Sequence, residues 1–159
     1  MRNFTKEAAS VEVLKKFRII FGSVRQHFRE IEETCGVTGS QLWIMQEIAN
    51  APGAGVSVLA ERLSIHQSTC SQLVEKLVRR KLIIKERSNQ DQRRVGLRLT
   101  EEARKLLKKA PGPSEGVLPE VLRTLPRDAL DQLENALDRL IRELEVKDAR
   151  LAGKPLSEL

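Results

Sequence analysis

Two long stretches of the chain alternate apolar and polar residues with the period of an α-helix. Over residues 6–33, apolar side chains recur at steps of three and four, which predicts one amphipathic helix. A second stripe begins near Pro126, a residue suited to the first turn of a helix, and is predicted to extend to about residue 150. The apolar positions are Val11, Leu14, Phe17, Ile20, Phe21, Val24, Phe28 and Ile31 in the first stretch, and Leu130, Leu133, Leu137, Leu140, Ile141 and Leu144 in the second.

Three shorter helices are predicted between them. Thr38 and Gln41 have the spacing of a capping box, in which the threonine hydroxyl and the glutamine amide satisfy two free backbone groups at a helix start. The helix that follows stops before the break at residues 51–55. Residues 56–63 and 67–81 are two amphipathic segments joined by a three-residue turn, which is the pattern of a helix-turn-helix.

Two short β-like runs follow the helix-turn-helix. Residues 82–84 and 95–99 are apolar enough for strands, and a polar turn with several arginines separates them. Thr100 then caps a helix, residues 111–116 interrupt the chain with prolines and glycines, and residues 117–125 form a short helical piece. The order predicts a mainly α protein with a small two-stranded β wing, that is, a winged helix-turn-helix with additional helices at both ends.

Positive charge is concentrated in one part of the chain. The net charge is +6, yet residues 79–109 alone contain twelve Lys and Arg against four acidic residues. Such a basic segment is typical of a phosphate-binding surface, although a solvated basic face would have the same composition. Aromatic residues make up only 3% of the chain and tyrosine is absent. Recognition of single-stranded nucleic acid by base stacking is therefore disfavoured.

Motifs of other protein classes are missing from the sequence. It has no HExxH, phosphate-loop or GxGxxG motif, and His27 and His66 are not spaced as metal ligands with either cysteine. We therefore expect no enzyme activity, no cofactor and no metal. Cys35 and Cys70 do not make a disulfide framework, no run is long enough to span a membrane, and the start lacks the apolar core of a signal peptide. A cytoplasmic location is the default expectation.

The two long stripes carry more apolar surface than one small domain is expected to cover. An exposed stripe of this size indicates a partner, and a second copy related by a two-fold axis is the simplest one. The alternative is that the terminal helices pack only on their own domain. We accordingly divide the chain into dimerisation helices at residues 1–36 and 112–150, a DNA-binding winged helix-turn-helix at 37–111, and a loose tail at 151–159.

Two motifs carry a family resemblance. One is the helix-turn-helix stretch VSVLAERLSIHQST at residues 56–69, and the other is the wing pattern Asp91-x-Arg93-x5-Leu99-Thr100. With them, the chain resembles the MarR family of bacterial transcriptional regulators over about residues 10–148. The resemblance implies a homodimer that binds a pseudo-palindromic operator in double-stranded DNA, with recognition helices in successive major grooves. It also implies a repressor that a small aromatic or anionic ligand releases from DNA.

The resemblance assigns the start of the recognition helix to the major groove. There, Thr69 and Lys76 are expected to contact the DNA backbone. The side chains expected to face base edges, opposite the apolar face of the same helix, are His66, Gln67, Ser68, Ser71 and Gln72. For each of them, plain solvent exposure is the alternative interpretation.

Four residues of the wing are expected to have different roles in DNA binding. Arg93 matches the family arginine that reaches into the minor groove, where the negative potential of a narrow groove suits arginine. Asp91 is expected to hold the turn in shape, and Arg87 and Arg94 to contact phosphate. Lys81 stands where the family usually has glycine. If that position needs a left-handed backbone, lysine costs about 1 kcal/mol.

The sequence alone does not identify the signal to which such a regulator responds. His27 and Trp43 are candidate ligand-pocket residues, although packing in the core is the plainer interpretation. Cys35 lies in a turn and is a candidate redox residue, whereas Cys70 is expected to pack as a small apolar side chain. Two alternatives to a ligand-released regulator remain: a winged-helix protein-interaction module without an operator, and a cysteine-based redox sensor of the same fold.

Overall fold

The computed structural model describes residues 2–88, 90–91, 93–145 and 147–159. The helices in these ranges are α1 (Arg2–Cys35), α2 (Gly39–Asn50), α3 (Val56–Leu63), α4 (Gln67–Arg79), α5 (Glu101–Lys109), α6 (Val117–Thr124) and α7 (Arg127–Glu143), and the strands are β1 (Ile83–Arg87) and β2 (Val95–Leu99). Short 3-10 helices follow at Ala149–Gly153 and Leu156–Glu158. The predicted fold class, mainly α with a two-stranded antiparallel wing, is confirmed.

The hydrophobic core lies in the middle of the chain, where α2, α3 and α4 meet the inner face of the wing. The predicted apolar face of α4 is buried, and it packs against apolar side chains of its neighbours. The largest fully buried members of this core are Ile31, Val37, Leu42, Ile44, Met45, Ile48, Leu59, Cys70, Val74, Leu77, Leu82 and Leu97. Each fully buried aliphatic side chain contributes about 1.5–3 kcal/mol. This cluster is therefore the main source of stability in the winged lobe, the part of the chain formed by α2 to α5 and the two strands.

Two helix starts are capped as the sequence predicts. The amide of Gln41 donates to Thr38 Oγ1 at 3.2 Å, and the amide of Thr38 donates to Gln41 Oε1 at 3.1 Å, so the capping box of α2 is confirmed. At the start of α5, the amide of Ala103 donates to Thr100 Oγ1 at 3.3 Å. These caps fix where α2 and α5 begin, and with them the angle at which each helix meets the core.

The wing is fastened to the helix-turn-helix through backbone. In the strand pair, Ile83 lies opposite Leu99 and Arg87 opposite Val95. Gly53 donates to the Leu97 carbonyl at 2.9 Å, and Leu97 donates to the Ala54 carbonyl at 3.0 Å, so the segment before α3 pairs with β2. A Cβ on Gly96 would lie 2.7 Å from the Gly53 carbonyl oxygen. The close approach therefore requires glycine at position 96.

The turn from α4 into β1 has a left-handed residue. Lys81 has φ +58°, the conformation that the family glycine would adopt without strain. Its amide donates to the Val78 carbonyl at 2.9 Å and the amide of Leu82 donates to the Leu77 carbonyl at 3.0 Å. The helix thus ends two residues earlier than predicted, because the chain must reverse here to place Leu82 in the core.

The terminal helices contribute little to the core. Phe21 on α1 is 64% exposed and Ile141 on α7 is 50% exposed. Other exposed apolar side chains on α1 and α7 are Val11, Val13, Leu14, Ile19, Ile20, Leu133 and Leu140, and Val121 on α6 and Leu144 just after α7 are exposed as well. Much of each predicted stripe therefore lies on the surface of the single chain. Among the helices described, none combines the length and the apolar composition needed to cross a membrane.

The link between α5 and α6 turns sharply and is packed against α1. His27 Nε2 lies 3.0 Å from the Pro113 carbonyl oxygen, and the ring of Phe28 lies below Gly116, where a Cβ would approach it to 3.3 Å. Gly112 and Gly116 have positive φ values of +61° and +105°, so glycine suits both turns. The proline and glycine break is thus a fixed bend between the two lobes.

The end of the chain differs from the expected loose tail. α7 ends at Glu143 and not near residue 150, and Lys147 donates to the Arg142 carbonyl at 3.2 Å, which satisfies one of the last helical acceptors. Residues 149–159 then fold back onto the winged lobe. The amide of Ser40 donates to Ser157 Oγ at 2.8 Å, and the Ser40 hydroxyl donates to Glu158 Oε1 at 2.5 Å. A carboxylate at the start of α2 is favourable because it faces the positive end of the helix dipole.

Replacement of Lys81 by glycine should stabilise the protein. Glycine removes the left-handed strain of a Cβ at φ +58°, and part of this gain is lost because glycine is freer in the unfolded chain. We expect a net increase of up to about 1 kcal/mol in the free energy of unfolding, measured by urea denaturation. The matched control is Arg80→Gly, at φ −81°, which should destabilise. A less stable Lys81→Gly protein would contradict the strain argument.

Candidate nucleic-acid interface

The outward face of α4 is polar and lines a shallow groove. Because the apolar side of this helix is buried, the opposite side must face away from the lobe. The groove is lined by Ser68, Ser71, Gln72, Glu75, Lys76 and Arg79. Gln67 and Gln72 are exposed, while Thr69 and Ser71 are half-buried. Hydroxyl, amide and cationic side chains on one helix face form a set able to bond base edges and phosphates.

The groove joins the wing through an ion pair. Glu75 on α4 accepts a hydrogen bond from Lys85 Nζ on β1. The pair neutralises the acidic side chain on this face, which would otherwise repel phosphate. It also brings the outward face of α4 next to the wing, so the two elements form one continuous surface.

His66 lies at the N-cap of α4 and is held by the chain's own tail. Its amide donates to the Gly153 carbonyl at 2.9 Å, and its Nε2 lies 3.1 Å from the Arg150 carbonyl oxygen. The sequence grouped His66 with the base-facing residues. In the structure, its imidazole has a protein partner on the side of the tail, which sets it apart from Gln67, Ser68 and Gln72.

Asp91 organises the turn of the wing. Its Oδ1 accepts a hydrogen bond from the Arg93 amide at 3.0 Å, and its carbonyl accepts one from the Arg94 amide at 3.0 Å. The carboxylate also lies 3.8 Å from Arg94 Nε. These contacts fold the chain tightly between the strands. Two wing residues, Asn89 and Gln92, lie outside the described ranges.

Two arginines of the wing keep their charge available. Arg98 is paired with Glu86 at 2.5 Å, and Arg94 lies near Asp91. Within the described part of the wing, neither Arg87 nor Arg93 forms an ion pair, and both are exposed. Because an exposed guanidinium without a carboxylate partner is free to meet an anion, these two are the strongest cationic positions of the wing.

A larger groove lies between the wing and the start of α3, and sequence patterns did not indicate it. Its lining combines residues 53–58 with residues 85–88 and 94–98. Gly55, the N-cap of α3, makes no side-chain cap, so the first amides of the helix point outward and suit a phosphate oxygen. Lys85 and Arg98 also line it, but both are paired with carboxylates, and Arg87 is the lining cation without an ion pair among the described residues. The glycine before α3 was the available signal, but it also fits an ordinary loop.

The two candidate ligand-pocket residues are used for packing in this structure. His27 is buried, and its Nε2 contacts the Pro113 carbonyl oxygen as described above. Trp43 is half-buried and packs against the core of the winged lobe. A ligand in this region would have to compete with the bend between the lobes, because His27 already holds that bend.

Cys35 is less accessible than its place in a turn led us to expect. The side chain is only 5% exposed, and its Sγ lies 3.8 Å from the Leu106 carbonyl oxygen. Burial raises the pKa of the Cys35 thiol, and the charge of nearby Lys109 opposes this only in part. For Cys70, burial raises the pKa to about 11. Both thiols therefore stay protonated near neutral pH, which disfavours oxidation.

The described ranges contain no group of three or more His, Cys, Asp and Glu side chains able to hold a metal ion. The outward face of α4 and the wing together present polar and cationic side chains. Such a surface suits the binding of a polyanion.

The middle of the chain is similar to known transcription regulators. Residues 36–94 match a family model described as the MarR family. A putative transcriptional regulatory protein for the hcr operon of Thauera aromatica is 37% identical over 76 residues, covering 48% of this chain and 46% of that protein. The HTH-type transcriptional repressor MdtR of Bacillus subtilis is 25% identical over 91 residues, covering 57% and 59%. The chain thus spans about half the length of the curated relatives it matches, and their names are those of transcription regulators.

Solved structures share the fold over most of the chain. A mutant MarR from E. coli, complexed with operator DNA, has a TM-score of 0.52 and 19% identity, covering 82% of this chain and 96% of that one. PcaV from Streptomyces coelicolor, in complex with its natural ligand, has a TM-score of 0.50 and 23% identity, covering 75% and 86%. At these identities the likeness establishes a common architecture.

The buried thiols should react slowly in the folded protein. We expect iodoacetamide near neutral pH to modify Cys35 and Cys70 far more slowly than free cysteine, because burial keeps both as thiols. In urea, both should react at the rate of free cysteine. Cys35→Ser and Cys70→Ser variants separate the two signals by mass spectrometry. Rapid modification of Cys35 in the folded protein would restore the redox interpretation.

Proposed function

We propose, from the match of residues 36–94 to the MarR family model, that the protein is a homodimeric, sequence-specific DNA-binding transcriptional regulator. The proposal includes the role of a repressor that a small aromatic or anionic ligand releases from a pseudo-palindromic operator. It also includes a cytoplasmic location, where bacterial DNA lies. The relatives named as regulators and the E. coli MarR complex with operator DNA support it.

The observation that carries the proposal is the continuous surface of α4 and the wing. The polar face of α4 suits a major groove, because Gln67 and Gln72 can each form two bonds to adenine and Ser68 can bond a base or a phosphate. Thr69 and Lys76 flank this face and suit the DNA backbone. The Glu75–Lys85 pair joins the face to the wing, so both elements can meet one duplex together.

The wing adds affinity and orientation in this proposal. Arg93 stands free at the tight turn that Asp91 holds, a position suited to insertion into a narrow minor groove. Arg87 and Arg94 suit contacts with phosphates on either side of that groove. Arg94 also lies 3.8 Å from the Asp91 carboxylate. Since phosphate and minor-groove contacts carry little sequence information, base choice rests mainly with α4.

The exposed apolar faces of α1, α6 and α7 support a dimer. A groove along α6 and α7 is lined by Leu122, Leu130, Leu133, Leu137 and Ile141. Burying several such side chains stabilises an interface by about 1.5–3 kcal/mol each before the entropy of association is subtracted. A second copy is the occupant that the resemblance implies. A two-fold axis would then present two α4 helices to successive major grooves, about one helical turn apart.

Ligand release would act through the bend between the lobes. His27 and Pro113 join α1 of the proposed dimer lobe to the link that follows the winged lobe. A small anion that displaced this contact would change the angle between the lobes and with it the spacing of the two recognition helices. PcaV in complex with its natural ligand is a ligand-bound protein of the same fold.

Substitution of Arg93 should weaken DNA binding. We first select preferred duplexes from a random library with the wild-type protein, and then compare affinities by fluorescence anisotropy at several salt concentrations. Arg93→Ala should lose about tenfold in affinity and lower the slope of log affinity against log salt by about one. The dimer should stay intact, because Arg93 is exposed and remote from the terminal helices.

The matched control is Arg104→Ala, which removes the same charge from α5, where Arg104 is exposed and paired with Glu101. It should leave the affinity nearly unchanged. Equal losses for the two variants would contradict the wing assignment. Retention on heparin without any sequence preference in the selection would instead favour a winged-helix protein-interaction module.

A charge on the apolar face of α7 should dissociate the dimer. Ile141→Glu introduces a carboxylate at a side chain that is half exposed in the single chain, so the fold of each chain should persist while the interface is lost. Sedimentation velocity should find about 18.0 kDa in place of twice that mass. The control Arg139→Glu, also exposed on α7, should stay dimeric. A monomeric wild-type protein would mean that the terminal helices pack only on their own chain.

A further inference from the structure

The C-terminal tail contacts two helix starts of the winged lobe at once. Residues 149–153 lie against His66 at the N-cap of α4, where both the amide and the ring of His66 meet tail carbonyls. Ser157 and Glu158 lie against Ser40 in the first turn of α2. Between these two contacts, Pro155 is buried. The tail therefore has two hydrogen-bonded ends and a packed centre.

The tail does not cover the face of α4 that points outward. The groove along that face is lined by α4 side chains alone, from Ser68 to Arg79. Among the described residues, the hydrogen bonds from the tail to the lobe go to His66, the residue before the helix, and to Ser40 in the neighbouring helix α2. Its position is thus beside the proposed DNA surface, at the end of the helix that enters deepest into a major groove.

An ion pair at the start of the tail bears on whether the tail could bind DNA through its charge. Arg150 donates to the Asp148 carboxylate through Nε at 2.9 Å and Nη2 at 2.8 Å, so its charge is neutralised by a neighbouring residue. A tail that added affinity through charge would leave this arginine free. The contacts that reach the lobe are hydrogen bonds to the amides of His66 and Ser40, to the His66 ring and to the Ser40 hydroxyl, and none of them is an ion pair.

We propose that the C-terminal tail, residues 149–159, is a positioning element for DNA recognition that fixes the start of the recognition helix α4 relative to α2. This inference rests on the proposed function. By accepting hydrogen bonds from His66, the carbonyls of Gly153 and Arg150 hold the first turn of α4 in one place. Gln67 and Ser68 follow directly, so their alignment with base edges depends on the docked tail. The tail starts just beyond α7, and it therefore links the proposed dimer lobe to the first turn of α4.

Two full-length variants test the two ends of the tail. Gly153→Ala adds a Cβ that would lie 2.6 Å from His66 Cε1, which expels the ring from its contact with Arg150. Ser157→Ala combined with Glu158→Ala removes both acceptors of Ser40. The control variants are Gly22→Ala, where an added Cβ has nothing within 4 Å, and Lys154→Gln, which removes an exposed charge of the tail.

The measured quantity is the ratio of affinities for a duplex selected by the wild-type protein and for an unrelated duplex of equal length. Both tail variants should lower this ratio about fivefold, the effect of one neutral hydrogen bond, and leave the salt dependence unchanged. Amide hydrogen exchange at His66 in the first variant and at Ser40 in the second should become faster, which reports undocking independently of DNA. Neither control should change the ratio.

An undocked tail with an unchanged affinity ratio would overturn the inference. So would a higher affinity for the selected duplex, because the tail would then obstruct DNA, and so would a loss confined to Lys154→Gln, because the tail would then act by charge. A wild-type protein that enriches no sequence from the library would overturn the proposed function itself, and the inference with it. Unchanged exchange in the variants together with an unchanged ratio would mean that the substituted contacts do not hold the tail.

Discussion

The burial of one side of α4 is the constraint on which the rest of this molecule depends. Cys70, Leu73, Val74 and Leu77 must lie in the core, and this alone turns the serines and glutamines of the helix outward. The same constraint shapes the next turn, since the chain adopts a left-handed backbone at Lys81 to keep the following leucine inside. The cost at that residue is small beside the apolar area that the turn allows the lobe to bury.

The two parts of the chain distribute their apolar residues in opposite ways. Between residues 31 and 103, the large apolar side chains are mostly buried within the chain, so this lobe is stable by its own packing. In α1 and α7 they remain largely on the surface of the single chain. The contact of His27 with the Pro113 carbonyl oxygen joins α1 to the link that follows the winged lobe.

Local patterns predicted most of the fold, and long-range contacts account for what they missed. The capping box at Thr38, the helix-turn-helix and the wing depend on residues close in sequence, and periodicity and turn chemistry identify such elements. The docked tail joins Ser40 to Ser157, 117 positions apart, through polar groups that have no periodic pattern. The burial of Cys35 likewise depends on α5, 71 positions away at Leu106. For the proposed DNA surface, the sequence predicted which polar residues lie on the outward side of α4 and in the wing, whereas the contacts of these residues were visible only in three dimensions.

The separation of the tail from its docking sites also bears on the order of folding. All residues of the buried core precede position 104, so the lobe can fold while the last third of the chain is still being synthesised. Contacts with large sequence separation form late because their loop-closure entropy must be overcome first. The N-cap of α4 would then be the last part of the lobe to become ordered. Folding in this order would pass through a state with a complete core and an unfinished first turn of α4, which the docking of residues 149–159 would then complete.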